Sequence, residues 1–89
     1  MRAAKVDGNH AAIVKILRSH GLSVASTAGV GGGFPDIVVA FGNRTWCFEI
    51  KQPGEKVNPL QESFRRSWAG HYAVVESAEQ VLRCVGWRV

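Results

Sequence analysis

Three observations predict a mixed α/β domain ordered helix, three strands, helix, strand, helix. Two largely apolar runs, residues 37–41 and 44–51, flank Gly42-Asn43, which signals an antiparallel hairpin. Asn58-Pro59-Leu60-Gln61 then opens a helix, and the apolar run His71-Tyr72-Ala73-Val74-Val75 follows it. A helix between two strands permits a parallel crossover, so hairpin and crossover together imply a mixed sheet.

Length and composition bound this reading. Eighty-nine residues, 46% of them hydrophobic, suit one small domain with a core of its own rather than a disordered tail. The formal net charge of +4 favours an anionic partner such as nucleic acid. The two cysteines lack metal-ligand spacing and read as reduced core thiols of a cytoplasmic protein. No stretch has the apolar length of a membrane span, and the first residues lack the apolar core of a signal peptide.

Taken in order, residues 1–6 read as a basic arm. Asp7 is a preferred N-cap, Gly21 a helix stop, and Ile13, Val14 and Leu17 recur with His10 at helical spacing, so a helix is expected over residues 8–20. Residues 22–28 alternate as a first strand. Gly31-Gly32-Gly33 cannot support regular structure but lets backbone approach closely, and Gly33, beside Pro35-Asp36, is the glycine expected to be geometrically required. No Gly-Lys-Ser/Thr follows, so this is no phosphate-binding P-loop.

Ile37-Val38-Val39-Ala40-Phe41 reads as a strand buried on both faces. Along its partner, Trp46, Phe48 and Ile50 share one face, and Thr45, Cys47, Glu49 and Lys51 the other. In the second helix Asn58 is the N-cap, Pro59 suits the first turn and Gln61 completes a capping box. Its Leu60, Phe64 and Trp68 repeat every four residues and are expected to face the sheet. Ser77 caps a last helix whose apolar side is Val81, Leu82 and Val85. Trp87 reads either as core packing or as a partner surface.

The hairpin brings the start of its first strand beside the end of its second. Asp36, Glu49 and Lys51 should therefore converge at one sheet end, next to the glycine loop. Two carboxylates and an ammonium suit metal-assisted phosphodiester hydrolysis, since a hard cation takes oxygen ligands and a lysine can stabilise the transition state. Singly, each has a plainer reading: Asp36 as a turn cap, Glu49-x-Lys51 as a solvated strand face. Glu49 in an otherwise apolar run speaks against the plainer one, because an unpaired buried charge is costly.

Pro35-Asp36, twelve intervening residues and Glu49-Ile50-Lys51 resemble the PD-(D/E)XK nuclease signature. Gly33 before Pro35-Asp36, together with the downstream Asn58-Pro59-Leu60-Gln61, is similar to the VRR-NUC branch, as a minimal stand-alone member. The resemblance runs from about residue 7 to about residue 86. It implies a restriction-endonuclease-like fold and one VRR-NUC-like domain over residues 1–89. It also implies Mg²⁺ or Mn²⁺ held by Asp36, Glu49 and the main-chain carbonyl of Ile50. Lys51 would position the attacking water, and Gln61 would point at the site, a role set against its capping role, since one side chain is not expected to serve both. Relatives often carry a glutamate near the start of the first helix. Here Asn9 and His10 stand there instead, read either as metal support or as a cap and a core-edge residue.

Lys56, Arg65 and Arg66 are candidate DNA contacts, with Lys56 otherwise a mobile surface lysine. Small stand-alone relatives are associated with cutting branched DNA. The resemblance thus implies a homodimeric endonuclease for Holliday junctions or related branched DNA, with Trp87 and the last helix as the expected dimer surface. Two alternatives stand beside it: a nucleic-acid-binding module without chemistry, and a nuclease without structure preference.

Overall fold

A four-stranded mixed sheet carries two helices on one face and a third, loosely attached, on the other. The structure, a computed structural model, describes residues 8–88. The expected basic arm and the Asp7 cap lie outside the described residues. The elements are α1 (Gly8–Ser19), β1 (Ser23–Ser26), β2 (Ile37–Phe41), β3 (Arg44–Ile50), α2 (Pro59–Ser67), β4 (His71–Val75) and α3 (Ala78–Val85), in the predicted order. The strands lie β1-β2-β3-β4, the first two pairings antiparallel and β3–β4 parallel through the α2 crossover.

Local chemistry explains most boundaries. Gly21 turns the chain out of α1 at φ +87°, and Leu22 N–H closes back on the Leu17 carbonyl. Gly42 and Asn43 both have positive φ, +61° and +66°, the combination a two-residue hairpin turn needs to match the twist of its strands. Gly86 caps α3 at φ +81°. Strand β1 is shorter than the expected 22–28. Beyond Ser26 the Thr27 N–H donates to the Asp36 carbonyl and its hydroxyl to the Pro35 carbonyl before the chain leaves in turns.

The core lies between the sheet and the α1–α3 pair. Ile13 and Leu17 from α1, Val81 and Val85 from α3, and Ile37, Val39, Phe48 and Val75 from the sheet form one buried cluster. Burying such side chains contributes roughly 1.5–3 kcal/mol each before the entropy of ordering is counted. The described residues contain no helix long and apolar enough to cross a membrane.

Several expectations change in three dimensions. Strand β2 is not buried throughout: Ile37 and Val39 are, while Val38 and Ala40 are partly open because α2 covers little of the second face, and Phe41 is partly open at the core's edge by the hairpin turn. Along β3 the alternation breaks, with Trp46, Cys47, Phe48 and Glu49 all buried, because this central strand has cover on both faces there. Cys47 is a core thiol whose pKa burial raises, but Cys84 is exposed on α3.

The Leu60–Phe64–Trp68 stripe does not face a sheet core. Helix α2 buries no residue; Leu60 is 60% exposed and Trp68 41%. Of the three, Phe64 carries the apolar attachment, edge-on to Phe34 and tilted against Tyr72, with Trp68 stacked on it. Trp87 belongs to the interior packing. Its indole N–H donates to the His20 carbonyl at 3.0 Å and its ring meets His20 edge-on. Trp87 is therefore partly buried and held by its own chain, the core-packing one of its two readings.

Candidate functional site

The hairpin register decides where the acidic residues stand. Ile37 pairs with Phe48, and the Asp36 N–H donates to the Phe48 carbonyl at 3.0 Å, carrying the ladder one step past β2. Asp36 thus falls opposite Glu49, both on the face away from the core. The Ile50 N–H then donates to Asp36 Oδ2 at 2.8 Å, which fixes the aspartate against the end of β3. Lys51 N–H donates to the Val75 carbonyl, extending the parallel pairing with β4, so the Lys51 main chain is fixed at the strand end.

Glu49 is 2% exposed and Lys51 7%. Glu49 Oε2 accepts from Gln61 Nε2 at 2.9 Å and lies 3.7 Å from Lys51 Nζ. Its other oxygen, Oε1, is buried without a hydrogen-bond partner. Burial first, then the charge of the facing Asp36, push Glu49 from 4.5 up to about 8, against the lowering effect of Lys51. A proton on Glu49 removes the repulsion between the two carboxylates. A cation between them would serve the same electrostatic need.

Gln61 does both things that were set against each other. Asn58 N–H donates to Gln61 Oε1 and Gln61 N–H donates to Asn58 Oδ1, each at 2.9 Å, so the capping box is complete. The amide has two ends. An N–H donor can face only the oxygen end, which turns the NH₂ end to Glu49. The cap thereby orients the donor that the carboxylate receives. Gly33 is required, as expected: at φ +87° a Cβ there would run into the Leu60 backbone, which locks the glycine loop against the first turn of α2.

A polar cavity of about 370 Å³ gathers these groups: Asp36, Glu49, Ile50, Lys51 and Gln61, with Asn9 and His10 on the α1 side. His10 is buried, its Nε2 3.2 Å from Ser26 Oγ, so the α1 start is tied to β1 beside the cavity. Glu55, which the sequence did not single out, also lines it. Its Oε2 lies 3.6 Å from Lys51 Nζ and its Oε1 accepts from Gln52 N–H. A Lys51–Glu55 spacing of four was the available signal, but it is ordinarily read on helices.

The other basic candidates stand apart from the cavity lining. Lys56 is exposed. Arg65 forks onto Glu62 at 3.0 and 2.6 Å, and Arg66 Nε lies 3.4 Å from the same carboxylate. These hydrogen bonds and charges hold Glu62 below and Arg65 above their ordinary pKa values. One carboxylate thus offsets part of the positive charge on that side of α2.

Among the described residues, no three His, Cys, Asp or Glu side chains group as a metal-binding cluster. The donor set is two carboxylates beside a strand-end main chain. That fits a hard divalent cation that keeps several waters, better than a metal needing a full set of protein ligands. The partnerless Glu49 Oε1 in the cavity wall is the donor such an ion would satisfy. No family model, curated protein or solved structure matches the chain.

Proposed function

We propose that this protein is a metal-dependent DNA endonuclease that hydrolyses phosphodiester bonds, with branched DNA such as Holliday junctions as its substrate. The supporting observation is the buried Glu49 carboxylate, short of a partner on one oxygen, facing Asp36 and Lys51 across a polar cavity. Asp36, Glu49 and the Ile50 main-chain carbonyl would hold Mg²⁺ or Mn²⁺. Such an ion, when bound, acidifies a water and neutralises charge on the scissile phosphate.

The chain's own residues supply the rest. Lys51 is close enough to Glu49 for its ammonium to orient a nucleophilic water and to donate to a phosphate oxygen. Gln61 occupies Glu49 Oε2 and so leaves Oε1 as the free donor. Glu55 offers Lys51 a counter-charge at 3.6 Å whose place a phosphate would take. Asn9 and His10 line the same cavity and would face the waters of such an ion from the α1 side.

A domain of this size with a net charge of +4 grips duplex DNA weakly and in a salt-sensitive way. A two-fold dimer would double the contact surface and present two sites to a junction of matching symmetry. The test is divalent-dependent nicking by the purified protein, with junction and linear duplex compared at equal protein and the mass read by light scattering. Cutting with Mg²⁺ or Mn²⁺, a preference for junctions and twice the chain mass are expected. Inactivity with every divalent ion, with DNA binding retained, would favour a binding module. A monomer cutting all DNA alike would leave a nuclease without structure preference.

A further inference from the structure

A second groove adjoins the polar cavity on its α1 side. It has a volume of about 350 Å³ and is lined by Ala11, Val14, Lys15 and Arg18 of α1 and Ser26 of β1. His10 lines both this groove and the cavity of Asp36 and Glu49, so one side chain belongs to the wall of each. Its Nε2, 3.2 Å from Ser26 Oγ, ties the helix to the strand there. Residues 11, 14, 15 and 18 recur at three- and four-residue spacing, so the groove follows the helix axis. From His10 to Arg18 the helix rises about 12 Å, the length of roughly three nucleotides of one strand.

The charge of this groove differs from that of the other basic surfaces. Helix α1 carries Lys15 and Arg18 and no acidic residue. Among the described residues neither is paired with a carboxylate, whereas Lys51, Arg65 and Arg66 all are. No carboxylate lines the groove to repel an anion. Lys15 is exposed, and its side chain makes no hydrogen bond or ion pair among the described residues. Arg18 is exposed but held: its Nη2 donates to the Val24 carbonyl at 2.8 Å, which fixes the guanidinium against β1. A guanidinium has five N–H donors, so one bond to a carbonyl leaves others for a phosphate. A single surface lysine is ordinarily just solvated. A pinned arginine and an open lysine in one groove, continuous with the acidic cavity through His10, form a path of the right sign for a polyanion.

We propose that the α1–β1 groove holds the sugar-phosphate backbone of the cleaved strand, with Lys15 and Arg18 on phosphates next to the one at Asp36, Glu49 and Lys51. This rests on the phosphodiesterase reading above and names the surface that delivers the strand to that site. Phosphate contacts fix the register of a protein on a nucleic acid and carry no sequence information. The α1 side would therefore position the scissile phosphate without selecting bases. Arg65 and Arg66, which share Glu62, would add less, because their charge is already offset.

The experiment uses the whole chain and fluorescence anisotropy of labelled duplex DNA, with a fixed Ca²⁺ concentration in place of Mg²⁺ and KCl from about 50 to 200 mM. The variants are Lys15→Gln, the double variant Lys15→Gln/Arg18→Gln, and Arg83→Gln, which removes the same charge from α3 outside both cavities. Circular dichroism checks folding. Lys15→Gln decides the matter if loss of the Arg18–Val24 bond unfolds the double variant. Each phosphate contact removed lowers the slope of log affinity against log salt by about 0.9. Over that range wild type should lose about tenfold more affinity than the double variant and about threefold more than Lys15→Gln. Arg83→Gln should keep the wild-type slope. A wild-type slope in Lys15→Gln and in the double variant would overturn the groove, and cutting by wild type in Mg²⁺ or Mn²⁺ would then leave the nuclease reading intact. Equal flattening by Arg83→Gln would also overturn it, as an effect of net charge alone. Flattening confined to the α1 variants, with no cutting under any divalent ion, would retain the groove and reject the nuclease.

Discussion

Helices α2 and α3 begin alike and end up in opposite circumstances. Each opens on a polar N-cap, Asn58 or Ser77, with a glutamine three residues later. In each the cap side chain accepts from the glutamine N–H, and the glutamine oxygen takes a backbone N–H, that of Asn58 in one case and Glu76 in the other. Yet α3 buries Ala78, Val81 and Val85 in the core, while α2 buries nothing. Helix α3 is held by apolar contact. Helix α2 is held by one phenylalanine, the Gly33 apposition and the Gln61–Glu49 hydrogen bond. A capping box therefore reports where a helix starts and says nothing of what anchors it. In α2 the same local device became part of a polar site.

The sharpest way to break the polar side is at Lys51 and Glu49. Lys51→Ala or Glu49→Ala is expected to lower cleavage by at least about 100-fold, as loss of a transition-state donor or metal ligand does. Nicking assays on folded, DNA-binding variants check this. Wild-type-like cleavage by either variant would overturn the assignment of that residue.

The next test separates burial from catalysis. In metal-free buffer, Glu49 is protonated up to about 8 when folded but ionises from 4.5 when unfolded. The folded state binds the extra proton between those values. The contribution is therefore full below 4.5, falls as pH rises and is lost above about 8. Glu49→Gln removes this slope. Relative to wild type it should gain stability across that window, on the order of a few kcal/mol at alkaline pH. Urea melts of both proteins from pH 4 to 9 measure it. Parallel curves would mean that Glu49 is not held out of its ordinary range.

The apolar side gives a smaller contrast. Val81→Ala, in the buried stripe of α3, should cost about 2 kcal/mol. Leu60→Ala, at the exposed face of α2, should cost less than about 0.5 kcal/mol. Equal losses in denaturant unfolding would mean that α2 is anchored by its apolar stripe after all.

The finest test uses the two glutamines. Gln61→Met and Gln80→Met each remove a capping interaction and should cost about 1 kcal/mol. Only Gln61→Met should also weaken divalent-dependent cleavage. Gln61→Glu keeps the oxygen that caps α2 and removes the NH₂ donor to Glu49, so its melting should stay nearer wild type than its activity does. Parallel effects of Gln61→Met and Gln80→Met on cleavage would reduce Gln61 to a cap.

The element order, the hairpin and the caps were legible in the chain because each rests on chemistry within a few residues: Gly42-Asn43 needs positive φ, Asn58 and Ser77 have nearby N–H groups to accept from, and Gly21 and Gly86 stop helices. The meeting of Asp36 with Glu49 was legible for the same reason, since a two-residue turn leaves one register. Burial was less so. Periodicity placed Leu60 and Trp68 on one side of a helix, but nothing local says whether a sheet, solvent or another molecule faces that side. The sequence alone therefore determined the alternation of helices and strands and the pairing of the hairpin. Only the tertiary structure decided that α2 stays outside the core, that Gln61 serves its own helix with one end and Glu49 with the other, that Glu55 reaches Lys51, and that Gly33 abuts the first turn of α2. Those facts depend on contacts between segments distant in the chain, whose energies are set by the packed whole.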